Sequence, residues 1–427
     1  MVLLVENSSN DIEDLNERVV DQLQELNQEW RQALDLRKPP FQIDREGPTT
    51  TVVPQGICGQ IEISDQIIEI VPKYLADEED VPAEWRKNFL TILSISGISD
   101  FRVDASEAIR GGSSASSLMD VLAAAYANRL STALVQGIPA AYTERDKRLS
   151  NARGRLLTKK LYPNLVKKPS ELWYRTTVYT TEIPLSKILK WACQRFSELA
   201  SNTQTINRLY ELEQRFSEIE SVDVSELQSR QFSLSSQHRR FDEALTIAQW
   251  LLENLEAAYA DEEVTLPGIL FNTEKMFEGF VDTALDEVDV PWEYTGDDSE
   301  TYQRLASGTP PQNINPDHLF RCNERNILAL DSKYTKMGSG TDTHGDKPKR
   351  DYFYQILAYG RGYQIDVVGL VYPRLRTTGH RWVLGAPGDP SIVYILELDP
   401  MNFLSDRESF FESLQERLIN MVEGDTG

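Results

Sequence analysis

The run Asn315-Pro316-Asp317, then Ile327-Leu328-Ala329-Leu330-Asp331-Ser332-Lys333-Tyr334, then Asp351-Tyr352-Phe353-Tyr354-Gln355-Ile356-Leu357-Ala358-Tyr359 decides how the C-terminal part of this chain folds. It reads as an acid at the start of a short strand, and an apolar strand ending on Asp331, Ser332 and Lys333. A basic, Gly-rich loop and a helix carrying Gln355 follow. Side chains alternate along a strand, so Asp331 and Lys333 share one face. Pairing of the two strands would bring Asp317 beside Asp331. Mg²⁺ keeps several waters, so these two carboxylates and the Ser332 backbone carbonyl suffice as ligands, and Mn²⁺ could substitute. Lys333 then lies beside the metal, where an ammonium can steady an attacking water or a pentavalent phosphate. Gln355 and Tyr359, one turn apart on one helix face, are placed to orient Lys333 or touch the phosphate. The pattern suits metal-assisted phosphodiester cleavage.

Each part alone is ordinary. Pro316-Asp317 is also a common turn, and Asp331 with Lys333 a common solvated pair. Order, the apolar run before Asp331 and the Gln-x-x-x-Tyr helix make the conjunction specific. Glu278, on an upstream helix, could hold a metal-bound water or a second metal, though a solvated glutamate explains it nearly as well. His238, His318, His344 and His380 show no metal-ligand spacing. His318 follows Asp317 and should face the other way, as a structural or incidental residue.

Outward from this run, the pattern over 266–427 is a mixed sheet flanked by helices. It predicts a helix over 273–285, an acidic linker to about Gly308, and strands at 318–320, 327–331, 365–372 and 392–398. Helices are expected over 351–363 and 403–422. Residues 171–265 read as a helical linker region, with a strand at 172–181 and helices at 184–199, 206–219 and 241–259. Residues 48–170 form a β-containing domain. There Ile57–Ile63 and Gln66–Val71 make a hairpin, and helices follow at 85–93 and 116–136. Residues 1–47 are a helical extension, with Ile12, Leu15, Val19, Leu23, Leu26 and Trp30 on one face of a helix over 10–36 and Asn10 near its N-cap. The fold class is multi-domain α+β and α/β.

The chain has 427 residues, 40% of them hydrophobic, enough for several buried cores. No apolar run is long enough for a membrane span, and Met1–Glu6 lacks the basic start of a signal peptide. Cys58, Cys193 and Cys322 are odd in number and far apart, as expected of reduced thiols in the cytoplasm. The net charge of −23 argues against a nucleic-acid partner at first sight. The sign reverses locally: Arg145, Lys147, Arg148, Arg153, Arg155, Lys159, Lys160, Lys167 and Lys168 face only Asp146. Such a run is commonly a solvated face; within so acidic a chain it suits DNA or an acidic partner. Lys333, Lys336, Lys347, Lys349 and Arg350 form a second positive zone beside the proposed site, where phosphate contacts are useful. The acidic, Lys-poor composition suggests a salt-rich cytoplasm.

Pro316-Asp317, Asp331-Ser332-Lys333 and Gln355-x-x-x-Tyr359 resemble the PD-(D/E)xK nuclease core. Ile57–Lys73, the segment Gln136-Gly137, Tyr142 and Ala152-Arg153-Gly154-Arg155-Leu156, Arg240–Leu245 and Leu266–Glu278 resemble the McrC family, the nuclease subunit of McrBC modification-dependent restriction systems. The resemblance implies an N-terminal partner-binding domain over 48–170 and a PD-(D/E)xK nuclease domain over 266–427. It implies a hexameric McrB-like AAA+ GTPase partner whose hydrolysis is stimulated, and a modified double-stranded DNA substrate. Asp317, Asp331 and Lys333 match the family's catalytic positions; no Walker A motif is present. The helix over 10–36 has no counterpart in that pattern, and the loop 337–349 is long. Two other readings compete: a non-catalytic adaptor that activates the NTPase, and a stand-alone RecB-like nuclease. No residue pattern names the DNA modification.

Overall fold

A computed structural model describes residues 2–13, 17–46, 49–63, 66–75, 81–96, 117–158, 171–222, 226–227, 232, 234–256, 268–296, 315–335, 349–373, 381–386 and 389–424. Two compact units divide the chain. One joins residues 1–114 to 264–427; the other is 115–263.

The first unit begins with strands β1 (Val2–Val5) and β2 (Asn10–Glu13), helix α1 (Glu17–Ala33), strands β3 (Phe41–Glu46), β4 (Thr49–Pro54), β5 (Ile57–Ile63) and β6 (Gln66–Val71), and helix α2 (Val81–Ile95). The expected helix over 10–36 is corrected at its start. Asn10 opens a strand paired with β4, and its amide donates to Val5 O, Ser8 O and Val52 O. Those side-chain bonds favour a turn into a strand over a helix cap. The apolar stripe is as read from Val19 onward: Val19, Leu23, Leu26 and Trp30 are buried. The β5–β6 hairpin forms as expected. Gly59, at φ +132°, is required there, because a Cβ would come 2.0 Å from Ile269 O on the next strand.

The second unit carries α3 (Leu118–Ala133), β7 (Ala141–Leu149), β8 (Arg155–Leu156), β9 (Leu172–Thr180), α4 (Pro184–Leu199), α5 (Thr203–Arg215) and α6 (Asp242–Glu256). Its helices pack around Tyr126 and Phe196, whose ring centroids are 5.1 Å apart. β9 lies between β7 and β8, antiparallel to both.

The chain returns to the first unit with β10 (Gly268–Asn272), α7 (Thr273–Glu287), β11 (Glu293–Gly296), β12 (His318–Cys322), β13 (Arg325–Ser332), α8 (Arg350–Tyr363), β14 (Val367–Tyr372), β15 (Arg381–Ala386), β16 (Asp389–Glu397), α9 (Pro400–Ser405) and α10 (Arg407–Glu423). β10 pairs with β5, so it completes a sheet of order β1-β6-β5-β10. Strand pairing therefore crosses the expected boundaries at 47/48, 170/171 and 265/266: β3 with β4, β7 with β9, β5 with β10.

The second large sheet runs β11-β12-β13-β14-β16-β15, with β13, β14 and β16 parallel. Helix α8 covers one face, burying Ile356 and Tyr359 with Leu319, Ala329, Val368 and Leu370. On the other face, Gly369 leaves room for Leu330 and for Met421 of α10. The C-terminal helix expected over 403–422 is two helices, because Asp406 caps α10 by accepting from Ser409 N at 3.1 Å. The linker expected between α7 and residue 308 contains β11. Among the described residues no helix is long and apolar enough to cross a membrane.

The two larger sheets of the first unit are tied by the buried Glu6 carboxyl. Thr273 Oγ1 donates to it at 2.7 Å, Tyr334 OH at 2.7 Å, Asn7 Nδ2 at 3.2 Å and Lys73 N at 3.3 Å. Lys73 Nζ donates to Tyr334 O at 2.8 Å and lies 3.6 Å from the centre of its ring. Burial, and then the Glu6 charge, push the Tyr334 phenol well up, so it stays a donor. Tyr334→Phe keeps the ring and removes that donor. The expected cost is about 1–3 kcal/mol of stability in urea unfolding; an unchanged midpoint would show that the knot contributes nothing.

Candidate active site

The register of β12 on β13 sets the site. His318 pairs with Leu330 and Leu319 with Ala329; continued by one residue, Asp317 comes opposite Asp331. β13 is held between antiparallel β12 and parallel β14, so its apolar run is buried and ends on the buried Asp331. Parity puts Asp331 on the same face as Ala329, under α8, and Ser332 on the opposite face. Ser332 N donates to Asp317 Oδ2 at 2.7 Å, which fixes the first acid against the second strand. Lys333 N donates to Val371 O at 2.8 Å, and its ammonium makes an ion pair with Asp331 Oδ2. Both Asp331 oxygens are shut off from solvent, with the Lys333 ammonium covering Oδ2 and no hydrogen-bond donor on Oδ1.

The electrostatics follow from this crowding. Burial first, then the charges of Asp331 and Glu278, push the Asp317 carboxyl up to about 8; Lys333 and the Ser332 N–H pull the other way. Burial also raises Glu278, with His318 pulling it down and Asp282 and Asp331 pushing it up. Carboxyls in mutual reach in a poorly solvated place cannot all ionise without a cation. Among the described residues, no three Asp, Glu, His or Cys side chains converge to hold a metal alone. Two carboxylates completed by water and a carbonyl match a Mg²⁺-type ion. Asp331 Oδ1, buried without a donor, and the Asp317 carboxyl are the oxygens that could face such an ion.

Helix α8 supplies the other wall. Lys333 Nζ lies 5.1 Å from the centre of the Tyr352 ring, and Lys349 Nζ 5.6 Å from it. Gln355 Nε2 donates to Tyr359 OH at 2.7 Å. Burial and then Asp331 push the Tyr359 phenol up to about 12. The structure thus brings Asp317, Asp331, Ser332 and Lys333 together, sets Glu278 within charge reach, and ties Gln355 to Tyr359. Lys336, Lys347, His344 and His380 lie outside the described residues.

Sequence reasoning missed Tyr352 and a cluster around His318. His318 does face away from Asp331, as its parity required, but it is engaged there with Ser332 Oγ, Tyr294 and Asp282. Its spacing from Ser332 across a predicted strand pair was the available signal. Tyr294 had none, because it stands in an acidic stretch. In the other unit, Arg145, Lys147 and Arg148 lie on β7 and Arg155 on β8; the same sheet carries Tyr142 and Tyr179, exposed rings 5.0 Å apart. Lys159, Lys160, Lys167 and Lys168 lie outside the described residues.

A family model described as McrBC 5-methylcytosine restriction system component matches residues 52–373. Among solved structures, the refined half-complex from the tetradecameric assembly of Thermococcus gammatolerans McrB AAA+ hexamers with bound McrC holds a similar chain. Identity is 15%, covering 99% of this chain and 100% of that one, at a TM-score of 0.75. A chain of the cryo-EM structure of the Thermococcus gammatolerans McrBC complex is 15% identical over 67% of this chain and 87% of that one, at a TM-score of 0.51. At that identity the likeness is one of fold. No curated protein matches.

The raised Asp317 carboxyl sets a pH dependence. Its native pKa stands above the unfolded value of about 4, so stability of the metal-free protein falls as pH rises from about 4 to about 8. Asp317→Asn keeps an acceptor for Ser332 N and removes the charge. Metal-free thermal melts should show the variant equal to wild type near pH 4 and higher by roughly 2–4 °C at pH 8. A difference that does not change with pH would refute the crowding.

Proposed function

The chain belongs to the McrBC 5-methylcytosine restriction-system family, and we propose that it is the DNA-cutting subunit of such a system, a metal-dependent endodeoxyribonuclease with a PD-(D/E)xK centre. The observation that carries this is Asp317 fixed opposite the buried Asp331 at a strand end, with the Lys333 ammonium paired to Asp331 Oδ2. The order helix, three antiparallel strands, helix and parallel strand, α7 to β14, supports the PD-(D/E)xK assignment.

Asp317, Asp331 and the Ser332 carbonyl would hold Mg²⁺, or Mn²⁺ in its place, which neutralises phosphate charge and lowers the pKa of the attacking water. Lys333, steadied over the Tyr352 ring, places its ammonium where negative charge develops on the phosphate. Glu278, its carboxyl pushed up, is a nearby acceptor for a water in the site. Gln355 acts through Tyr359, fixing the wall of the site.

The partner reading follows from the family and from the relatives, whose complexes hold McrB AAA+ hexamers with bound McrC. This chain would bind a hexameric AAA+ GTPase and stimulate its hydrolysis, with residues 48–170 as the partner-binding part and 266–427 as the nuclease. Its substrate is double-stranded DNA carrying a modification that the partner recognises. The reading places the chain in the cytoplasm, where the free thiols of Cys58, Cys193 and Cys322 stay reduced.

The test uses the assembled complex with modified DNA, GTP and Mg²⁺. Asp331→Ala should abolish cleavage and keep GTPase stimulation. Persistent cutting by the variant refutes the site. A wild-type complex that stimulates GTP hydrolysis and never cuts supports the adaptor reading instead.

A further inference from the structure

One polar cluster has no part in the chemistry above. His318, 1% exposed, lies on the sheet face opposite Asp331. Its Nε2 is 2.8 Å from Ser332 Oγ, its Nδ1 is 2.7 Å from Tyr294 OH, and Nδ1 is 3.4 Å from Asp282 Oδ1. Tyr294 OH donates to Asp282 Oδ1. Each ring nitrogen has one hydroxyl partner, Ser332 Oγ on Nε2 and Tyr294 OH on Nδ1, and the Tyr294 hydroxyl reaches on to Asp282. The chain of bonds runs from α7 across β11 and β12 to β13. Its members, Asp282, His318 and Ser332, are the residue types of a nucleophilic triad. The buried imidazole, enclosed behind the sheet, leaves no room for a substrate.

The chain ends on the residue whose peptide N–H holds Asp317. Asp317 and Asp331 repel each other, so the Ser332 N–H is the bond that keeps the first acid in place before any cation arrives. Rotation of that peptide would release Asp317. The Ser332 side chain, clamped from behind, opposes the rotation. We propose that His318 is a positioning residue for the metal site: through Ser332 Oγ it fixes the peptide that holds Asp317 beside Asp331. The proposal rests on the nuclease reading. It gives the sheet face opposite Asp331 a part in metal affinity.

The experiment measures Mn²⁺ binding to the purified full chain by electron paramagnetic resonance, alongside thermal melts. His318→Phe and Ser332→Ala should each weaken Mn²⁺ binding by roughly 10–100-fold. His318→Gln, whose amide oxygen can accept from Ser332, should fall between them and wild type. Asp331→Ala should abolish binding. Affinity kept within about twofold in Ser332→Ala and in folded His318→Phe overturns the positioning role alone. Failure of wild type to bind Mn²⁺, or binding by Asp331→Ala equal to wild type, overturns the nuclease reading and this inference with it. If His318→Phe does not fold, Ser332→Ala decides.

Discussion

A buried carboxyl group far from the proposed chemistry sets the geometry of that chemistry. Glu6, five residues into the chain, collects donors from Thr273 at the start of α7, Lys73 beyond β6 and Tyr334 just beyond β13. A buried carboxyl is tolerable only when such donors surround it. Satisfying it therefore draws four distant segments to one point. Tyr334 directly follows Lys333, so the knot holds the end of the strand that carries Asp331 and Lys333. Thr273 opens the helix that carries Glu278. The N-terminal strand is thus a fastener of the site.

That rigidity has a purpose the acids make plain. Burial and the charges of Asp331 and Glu278 raise the proton affinity of Asp317, and burial and the Asp331 charge raise that of Glu278. Left to relax, such a cluster would spread apart or swell with water. It stays assembled because each member is on a strand or helix fixed elsewhere: Asp317 by the Ser332 N–H, Asp331 by the β12–β13–β14 ladder, Glu278 by the α7 packing of Phe277 and Phe280. Strain concentrated at a site and offset by the surrounding fold is the common form of a binding centre.

Much of this was legible in local sequence. The run Ile327–Leu330 had to be a buried strand, and alternation then forced Asp331 and Lys333 onto one face. The hairpin at residues 57–71 and the helix at 184–199 were equally plain, because their periods and caps are local. Partnership across long separations was not. Nothing in Gly268–Asn272 says that its neighbour is β5; the evidence is Gly59, whose missing Cβ admits Ile269 O, and that is visible only after folding. β11 was hidden because its four residues follow an acidic run. Asn10 misled because an asparagine before an apolar stripe caps a helix or closes a turn with the same side chain. His318 was set aside on correct parity, but parity says which face a residue takes and not what awaits it there.

Charge explains why such a centre would serve a larger assembly. A chain of net charge −23 offers DNA no general attraction. At physiological salt, charges are screened beyond about 8 Å, so Lys333 and Lys349 act only on a phosphate already at the site. The exposed Arg145 and Lys147 of β7 are likewise a local feature. In the proposed nuclease, capture from solution would be weak and contact at the site favourable. A nuclease with those properties spares DNA at large and cuts where another protein delivers it. The AAA+ partner in the proposed assembly would provide that delivery, and the acidic surface would act as a safeguard against cutting in its absence.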